Sequence, residues 1–543
     1  MKSLLILLPF YFFDVILNAQ TISITGNVKD LKSNSPIEDA RVRIKNFSNG
    51  ITDSVFTDIG GTWQYDVMAV SVDPIYNLPN DFRVDQNFPN PFNPSTKINF
   101  SIPVNGEVTI TVHNILGELI DKKSMLLSSG IYTVDWFSKG SAGVYLYTIS
   151  FGNQSLTKKM LQLDGGNGIG LGEIRTGISN TYNSDVLSAA IDLEIVIDKF
   201  GYAADSTIAS VFGGENFATN LQTIHSKYTL IDLHNDVLEV MVNDPNYHLA
   251  DLHTYNHTDI PRMQMGEVDI QFFSIWVSPT AYTNYFDQAL IMRDLFNTEL
   301  ALNPSTIAKA TTMQQSLAIN SQNKIAAVIG VEGGHHIENN LEKLYQLYDS
   351  GMRYLTITWN NSTSWAISAK DNRTLIQGLS IFGREVIRKL DSLGVIIDVS
   401  HTGIRTIQDI LSITTNPIVA THSGARSIHD HYRNLYDSQI QDIANTGGVI
   451  GIVFYPYFLN GSSNASIADV IAHIDHIVNL VGTDYVAIGS DFDGIEVTPL
   501  GLEDVSKFPD LTLALLQHGY TEQEVAKFLG SNFKRVFEQV CGN

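Results

Sequence analysis

From residue 228 onward, eight short apolar runs recur along the chain, and few architectures can absorb them. They occupy 228–233, 268–275, 325–331, 353–358, 395–400, 417–421, 448–454 and 485–489. Between several of them lie segments with apolar residues three and four apart, such as Leu341, Leu344 and Leu347, or Phe382, Val386 and Leu390. A continuously apolar strand is buried on both faces, and an amphipathic helix after each strand supplies the cover, so the pattern predicts a parallel sheet. Eight strand–helix units over 225–543 fit a closed (β/α)8 barrel, with an open doubly wound sheet as the alternative the pattern allows.

Polar residues sit where that barrel would need them. His234 and Asp236 follow the first run, Glu332 the third, His401 the fifth, His422 the sixth and Asp491 the eighth. A barrel gathers the carboxyl ends of its strands on one face, where active sites are built. The chain has 15 histidines, and all but His113 lie at or after position 225, so imidazole chemistry belongs to this half. In a His-x-Asp segment, alternate side chains point to the same side, which lets His234 and Asp236 face one ion. Glu332 can bridge two ions through its two oxygens, and His401 and His422 complete a second site. Imidazoles and carboxylates without thiolates suit zinc or a similar divalent metal. Two such ions about 4 Å apart would activate water and polarise a carbonyl, leaving Asp491 for proton transfer. The one cysteine, Cys541, excludes disulfides and Cys-based metal sites within the chain.

The first part of the chain is of another kind. Residues 1–19 combine Lys2, an apolar stretch and the small-residue sequence Asn18-Ala19-Gln20, which predicts a secretory signal peptide. No later segment reaches the ~20 apolar residues of a membrane span. Alternating runs such as Ala40-Arg41-Val42-Arg43-Ile44 predict β-sandwich modules up to about residue 224. A net charge of −23 excludes a nucleic-acid binder, which would need a basic footprint.

Three resemblances refine this reading. Residues 86–163, with the run Phe88-Pro89-Asn90-Pro91-Phe92-Asn93-Pro94 and the turn at 112–118, resemble a type IX secretion sorting domain, although such domains usually end a chain and this one is internal. The flanks resemble the two halves of a carboxypeptidase-regulatory-like sandwich, with Gly165-Gly166-Asn167-Gly168 as the return linker. The implied organisation is a signal peptide at 1–19 and a first half-sandwich at 20–71. An inserted sorting-like sandwich at 72–165, a second half with linker at 166–224 and a barrel at 225–543 follow.

The barrel itself is similar to the membrane (renal) dipeptidases, metal-dependent hydrolases of the amidohydrolase type. The likeness is carried by Asp232-Leu233-His234-Asn235-Asp236, Glu332-Gly333-Gly334-His335, Asp398-Val399-Ser400-His401, Thr421-His422-Ser423, Arg433-Asn434 and Ser490-Asp491-Phe492-Asp493. It implies His234 and Asp236 on one zinc ion, Glu332 bridging, and His401 and His422 on the second. It also implies Arg433 on the substrate carboxylate, and Asp491 holding the substrate's amino group or the water and moving a proton. His335, His336, His473 and His476 are expected to be structural. Trp359 stands where the mammalian enzymes carry a substrate-binding histidine, and an indole can donate one hydrogen bond but cannot titrate. The expected function is a secreted zinc dipeptidase that cleaves free dipeptides, including those with a C-terminal D-residue, through a metal-bound hydroxide. A metal-dependent hydrolase of another small amide or lactam, and an inactive cell-surface binding protein, are the alternatives. The chain is expected to be exported from a bacterium, to the medium, the cell surface or the periplasm. Its N-terminal modules would engage secretion machinery or the surface, and family likeness implies a homodimer.

Overall fold

The computed structural model describes residues 19–70, 79, 81–176 and 190–542. The expected signal peptide and the 71/72 boundary lie, except for Ala19, outside the described residues.

The barrel strands are Ile231–Asp232, Ile270–Ile275, Ile325–Glu332, Met352–Thr356, Ile396–Asp398, Ile418–Ser423, Ile450–Ile452 and Val486–Ile488. They are parallel and pair in sequence order, and Asp232 beside Ile488 closes the ring. Each falls on one of the eight apolar runs, so the sheet is a closed barrel and not an open doubly wound one. A ninth short strand, Ile307–Lys309, pairs alongside the start of the third. Three residues ending in a lysine give no apolar run, which is why the sequence pattern does not show it.

The predicted helical segments form for readable reasons. In helix Ile381–Leu393, Val386, Ile387 and Leu390 are buried, Ser380 caps the first turn by accepting from Gly383 N, and Gly394 ends it at φ 68°. The starts of the strands are closed by helix Asn532–Cys541, which packs Phe533 and Phe537 edge-on against Phe272, with ring centroids 5.2 and 5.6 Å away. Those rings join Ile270, Ala326, Val328 and Val419 in the barrel's inner core, so the lower end is filled and only the upper end is open to build a site.

Ahead of the barrel lie two sandwiches. One sheet of the first orders Asn216–Leu221, Ala19–Asp30 and Thr62–Val70, and the other Asp205–Val211, Ile191–Asp198, Arg41–Asn46 and Thr52–Phe56. Strands from before residue 71 and after residue 190 therefore share both sheets and one core, which includes Ile24, Trp63, Ile44 and Leu193. The intervening chain builds two further four-stranded sheets around Phe100, Trp136 and Tyr147. The glycine run expected to be a return linker instead opens the strand Gly166–Thr176, which pairs with Gly130–Gly140. The glycines are there for close approach: a Cβ on Gly168 would lie 2.6 Å from the Ser138 carbonyl oxygen. Among the described residues no helix is long and apolar enough to cross a membrane.

Candidate metal centre

The upper rim of the barrel brings together all six strand-end residues. His234 and Asp236 leave the first strand on alternate positions, and Asp236 precedes helix Val237–Asn243. Glu332 is the last residue of the third strand and His422 lies within the sixth. His401 and Asp491 each come three residues after a strand, with φ of 62° and 63°. Non-glycine residues pay of order 1–3 kcal/mol for such backbone, which persists only where the surroundings fix it.

The three imidazoles point their Nε2 atoms at one space. His234 Nε2 lies 3.3 Å from Asp236 Oδ2, 3.7 Å from Glu332 Oε2 and 3.9 Å from Asp491 Oδ1. His401 Nε2 and His422 Nε2 lie 2.9 and 3.4 Å from Glu332 Oε1, and 3.1 Å from each other. The two oxygens of Glu332 thus face different histidines. All six residues are at most 8% exposed.

A ring of outer hydrogen bonds fixes the imidazoles. Nδ1 of His234 meets the Tyr354 hydroxyl at 2.8 Å, Nδ1 of His401 meets Asn360 Oδ1 at 3.0 Å, and Nδ1 of His422 meets Thr421 Oγ1 at 2.9 Å. Thr421 donates onward to Asp398, 2.8 Å away, which also accepts from Thr356 at 2.5 Å. With each Nδ1 engaged outward, each Nε2 is left facing the shared space, where a metal would find it. Tyr354 fits only because residue 330 is glycine, where a Cβ would sit 2.0 Å from the phenol ring.

The electrostatics call for a cation. Burial works against a charged His234, yet Asp236 and Glu332 outweigh it and hold its pKa well above the usual value. Burial pushes Glu332 up, but the imidazoles of His401, His234 and His422 bring it well below the carboxylate range. Burial, with Asp236 and Glu332 beside it, drives Asp491 well above its ordinary value. Burial and then Arg433 lower His401 to about 3, and burial lowers His422 strongly. His234 Nε2 and Asp236 Oδ1 are buried without a hydrogen-bond partner. Two imidazole nitrogens face to face, three crowded carboxylates and two orphaned donor atoms fit a divalent metal with N and O ligands.

Above the centre is a cleft of about 410 Å³. Arg433, 2% exposed, stands on its wall, gives Nη2 to the His422 carbonyl at 3.1 Å and leaves Nε without a partner. Trp359 also lines the cleft, its ring 5.0 Å from that of Trp276 and 6.1 Å from that of His401. His335 and His336 are tied to the backbone carbonyls of Val277 and Gly333, and His473 to the Ala425 amide and the Leu459 carbonyl. His476 meets the Asp437 carboxylate. Sequence reasoning missed Glu239, Trp276, Tyr354 and Asn360 around the site. It gave no role to Asp232 and Asp398 within the motifs that carry the likeness, although an aspartate inside an otherwise apolar strand run is a usable signal.

A closed barrel with imidazoles and carboxylates converging at its upper rim defines a metal-dependent hydrolase. Residues 218–542 match the family model described as membrane dipeptidase (peptidase family M19), and the chain belongs to that family. It is a metallo-dipeptidase. A Schizosaccharomyces pombe protein described as an uncharacterized dipeptidase is 33% identical over 339 residues, 58% of this chain and 80% of that protein. The structure of dipeptidase AC, a metallopeptidase of the same family, has a TM-score of 0.55 at 26% identity over 58% of this chain and 99% of its own. A metallopeptidase from Rhodobacter sphaeroides, liganded with a phosphinate mimic of the dipeptide L-Ala-D-Ala, has a TM-score of 0.54 at 25% identity, covering 58% of this chain and 99% of its own. Residues 86–162 match a secretion system C-terminal sorting domain, which implies export or cell-surface display.

Proposed function

We propose that the chain is an exported dipeptidase with two zinc ions, or similar divalent ions, at the barrel rim. The observation that carries this reading is the division of the Glu332 carboxylate. Oε2 faces His234, while Oε1 faces His401 and His422, as a bridge between two ions requires. His234 and Asp236 would hold one ion and His401 and His422 the other. When bound, the metals would lower the pKa of a water and polarise the scissile carbonyl.

The chain's own residues do the rest. Arg433, with its free Nε edge, pairs with the terminal carboxylate of a free dipeptide, a task suited to a rigid guanidinium fork. Asp491 faces His234 from the cleft side, where its raised pKa suits it to take a proton from water and deliver it to the leaving amine. Trp359 and Trp276 wall the cleft against bulk water and shape the substrate range. The mimic carried by the Rhodobacter sphaeroides neighbour supports acceptance of a C-terminal D-residue. The N-terminal sandwiches, the outer one of carboxypeptidase-regulatory type, position the barrel after export to the surface, medium or periplasm, and the active form is a homodimer.

The test is hydrolysis of a panel of L-L and L-D dipeptides by the purified chain, with zinc, with chelator and with Glu332→Gln. Turnover that both chelator and substitution abolish supports the reading. Turnover that survives either one overturns the dinuclear centre, and its absence with two zinc ions bound moves the substrate to another small amide.

A further inference from the structure

The cleft over the metal centre does not end at Glu239 and Trp276. Both residues also wall a second cavity of about 280 Å³, between helix Val237–Asn243 and helix Tyr285–Leu302, with Val242, Tyr282 and Met292 along its sides. Glu239 stands at the junction of the two spaces. It is partly buried, and no described residue gives its carboxylate a hydrogen-bond or ion-pair partner. A partly buried carboxylate set between two cavities without a partner is costly to desolvate until a cation reaches it.

The two ends of the cleft have opposite character. Arg433 lies on the His422 side, bonded to that residue's carbonyl. Glu239 lies on the other side, one helical turn beyond Asp236. A dipeptide whose carboxylate rests on Arg433 directs its amino-terminal residue toward Glu239.

We propose that the second cavity receives the side chain of the substrate's N-terminal residue and that Glu239 selects a cationic one there, lysyl or arginyl over a neutral chain of similar length. The inference rests on the dipeptidase reading above. Val242, Tyr282 and Met292 offer apolar surface for the methylene stem, while the carboxylate meets the charged head. The chain's net charge of −23 favours the approach of such substrates.

The experiment compares kcat/KM for Lys–Ala, norleucyl–Ala and Ala–Ala in the zinc-loaded full chain, in Glu239→Gln and in Val242→Phe. The Lys–Ala to norleucyl–Ala ratio reports the charge alone and should fall roughly tenfold in Glu239→Gln. Filling the cavity with Val242→Phe should lower both long substrates together relative to Ala–Ala. An unchanged ratio in Glu239→Gln, with Ala–Ala still hydrolysed, overturns the inference and leaves the dipeptidase intact. That same result is expected if Glu239 held only the α-ammonium group, which all three substrates share. Long substrates unaffected by Val242→Phe also overturn it. Failure of the unaltered chain to hydrolyse any of the three overturns the dipeptidase reading together with this one.

Discussion

Tyr354 shows how much of the centre depends on residues that hold a proposed ligand without being one. Its hydroxyl meets His234 Nδ1 at 2.8 Å, and the phenol occupies space that only glycine at 330 leaves free. Removing the hydroxyl frees the imidazole to turn and lowers its basicity, and losses of this kind weaken metal binding roughly 10–100-fold. Tyr354→Phe should therefore keep the fold and show a zinc affinity lowered by about that factor in competition with a chromophoric chelator. An affinity equal to that of the unaltered chain would show that packing alone orients His234. The converging residues themselves were legible in the sequence, because a strand end fixes where the next side chains go. Tyr354, Asn360 and Glu239 were not. Tyr354 and Asn360 act on His234 and His401, which belong to other strands, and Glu239 has no described partner to mark it; periodicity does not encode contacts between side chains that are distant in sequence.

At the scale of elements, the eight apolar runs held because burial on both faces demands them in every barrel strand. Ile307–Lys309 escaped because it lies at the edge of the ring, where a short polar-ended segment suffices. The glycine run at 165–168 misled for a related reason: glycine marks close approach of two backbones as well as a flexible link, and only the neighbouring Ser138 decides which. Helix Asn532–Cys541 is sensitive to a single change. Phe533 is fully buried against Phe272 and Phe537, and truncating such a ring costs about 3–5 kcal/mol through lost transfer energy and the cavity left behind. Phe533→Ala should lower the denaturant midpoint of the barrel by the corresponding amount. A shift worth less than about 1 kcal/mol would mean that neighbouring side chains collapse into the space.

For the whole molecule, the separation of cores has a thermodynamic consequence. The first sandwich, the intervening sandwich and the barrel each bury a distinct set of side chains, and every residue of the proposed metal centre belongs to the barrel. A ligand that binds only a folded site stabilises the unit containing it, by about 2.7 kcal/mol at a hundred times its dissociation constant. Calorimetry of the full chain should thus resolve more than one transition, since units with separate cores need not melt together. Chelator should lower only the barrel transition, and added zinc should restore it. In Glu332→Gln, which removes one negative charge from the shared carboxylate, the same transition should respond weakly to zinc, while the sandwich transitions stay in place. If chelator moved every transition together, the modules would be energetically one unit, and the barrel's stability would depend on the sandwiches that precede it.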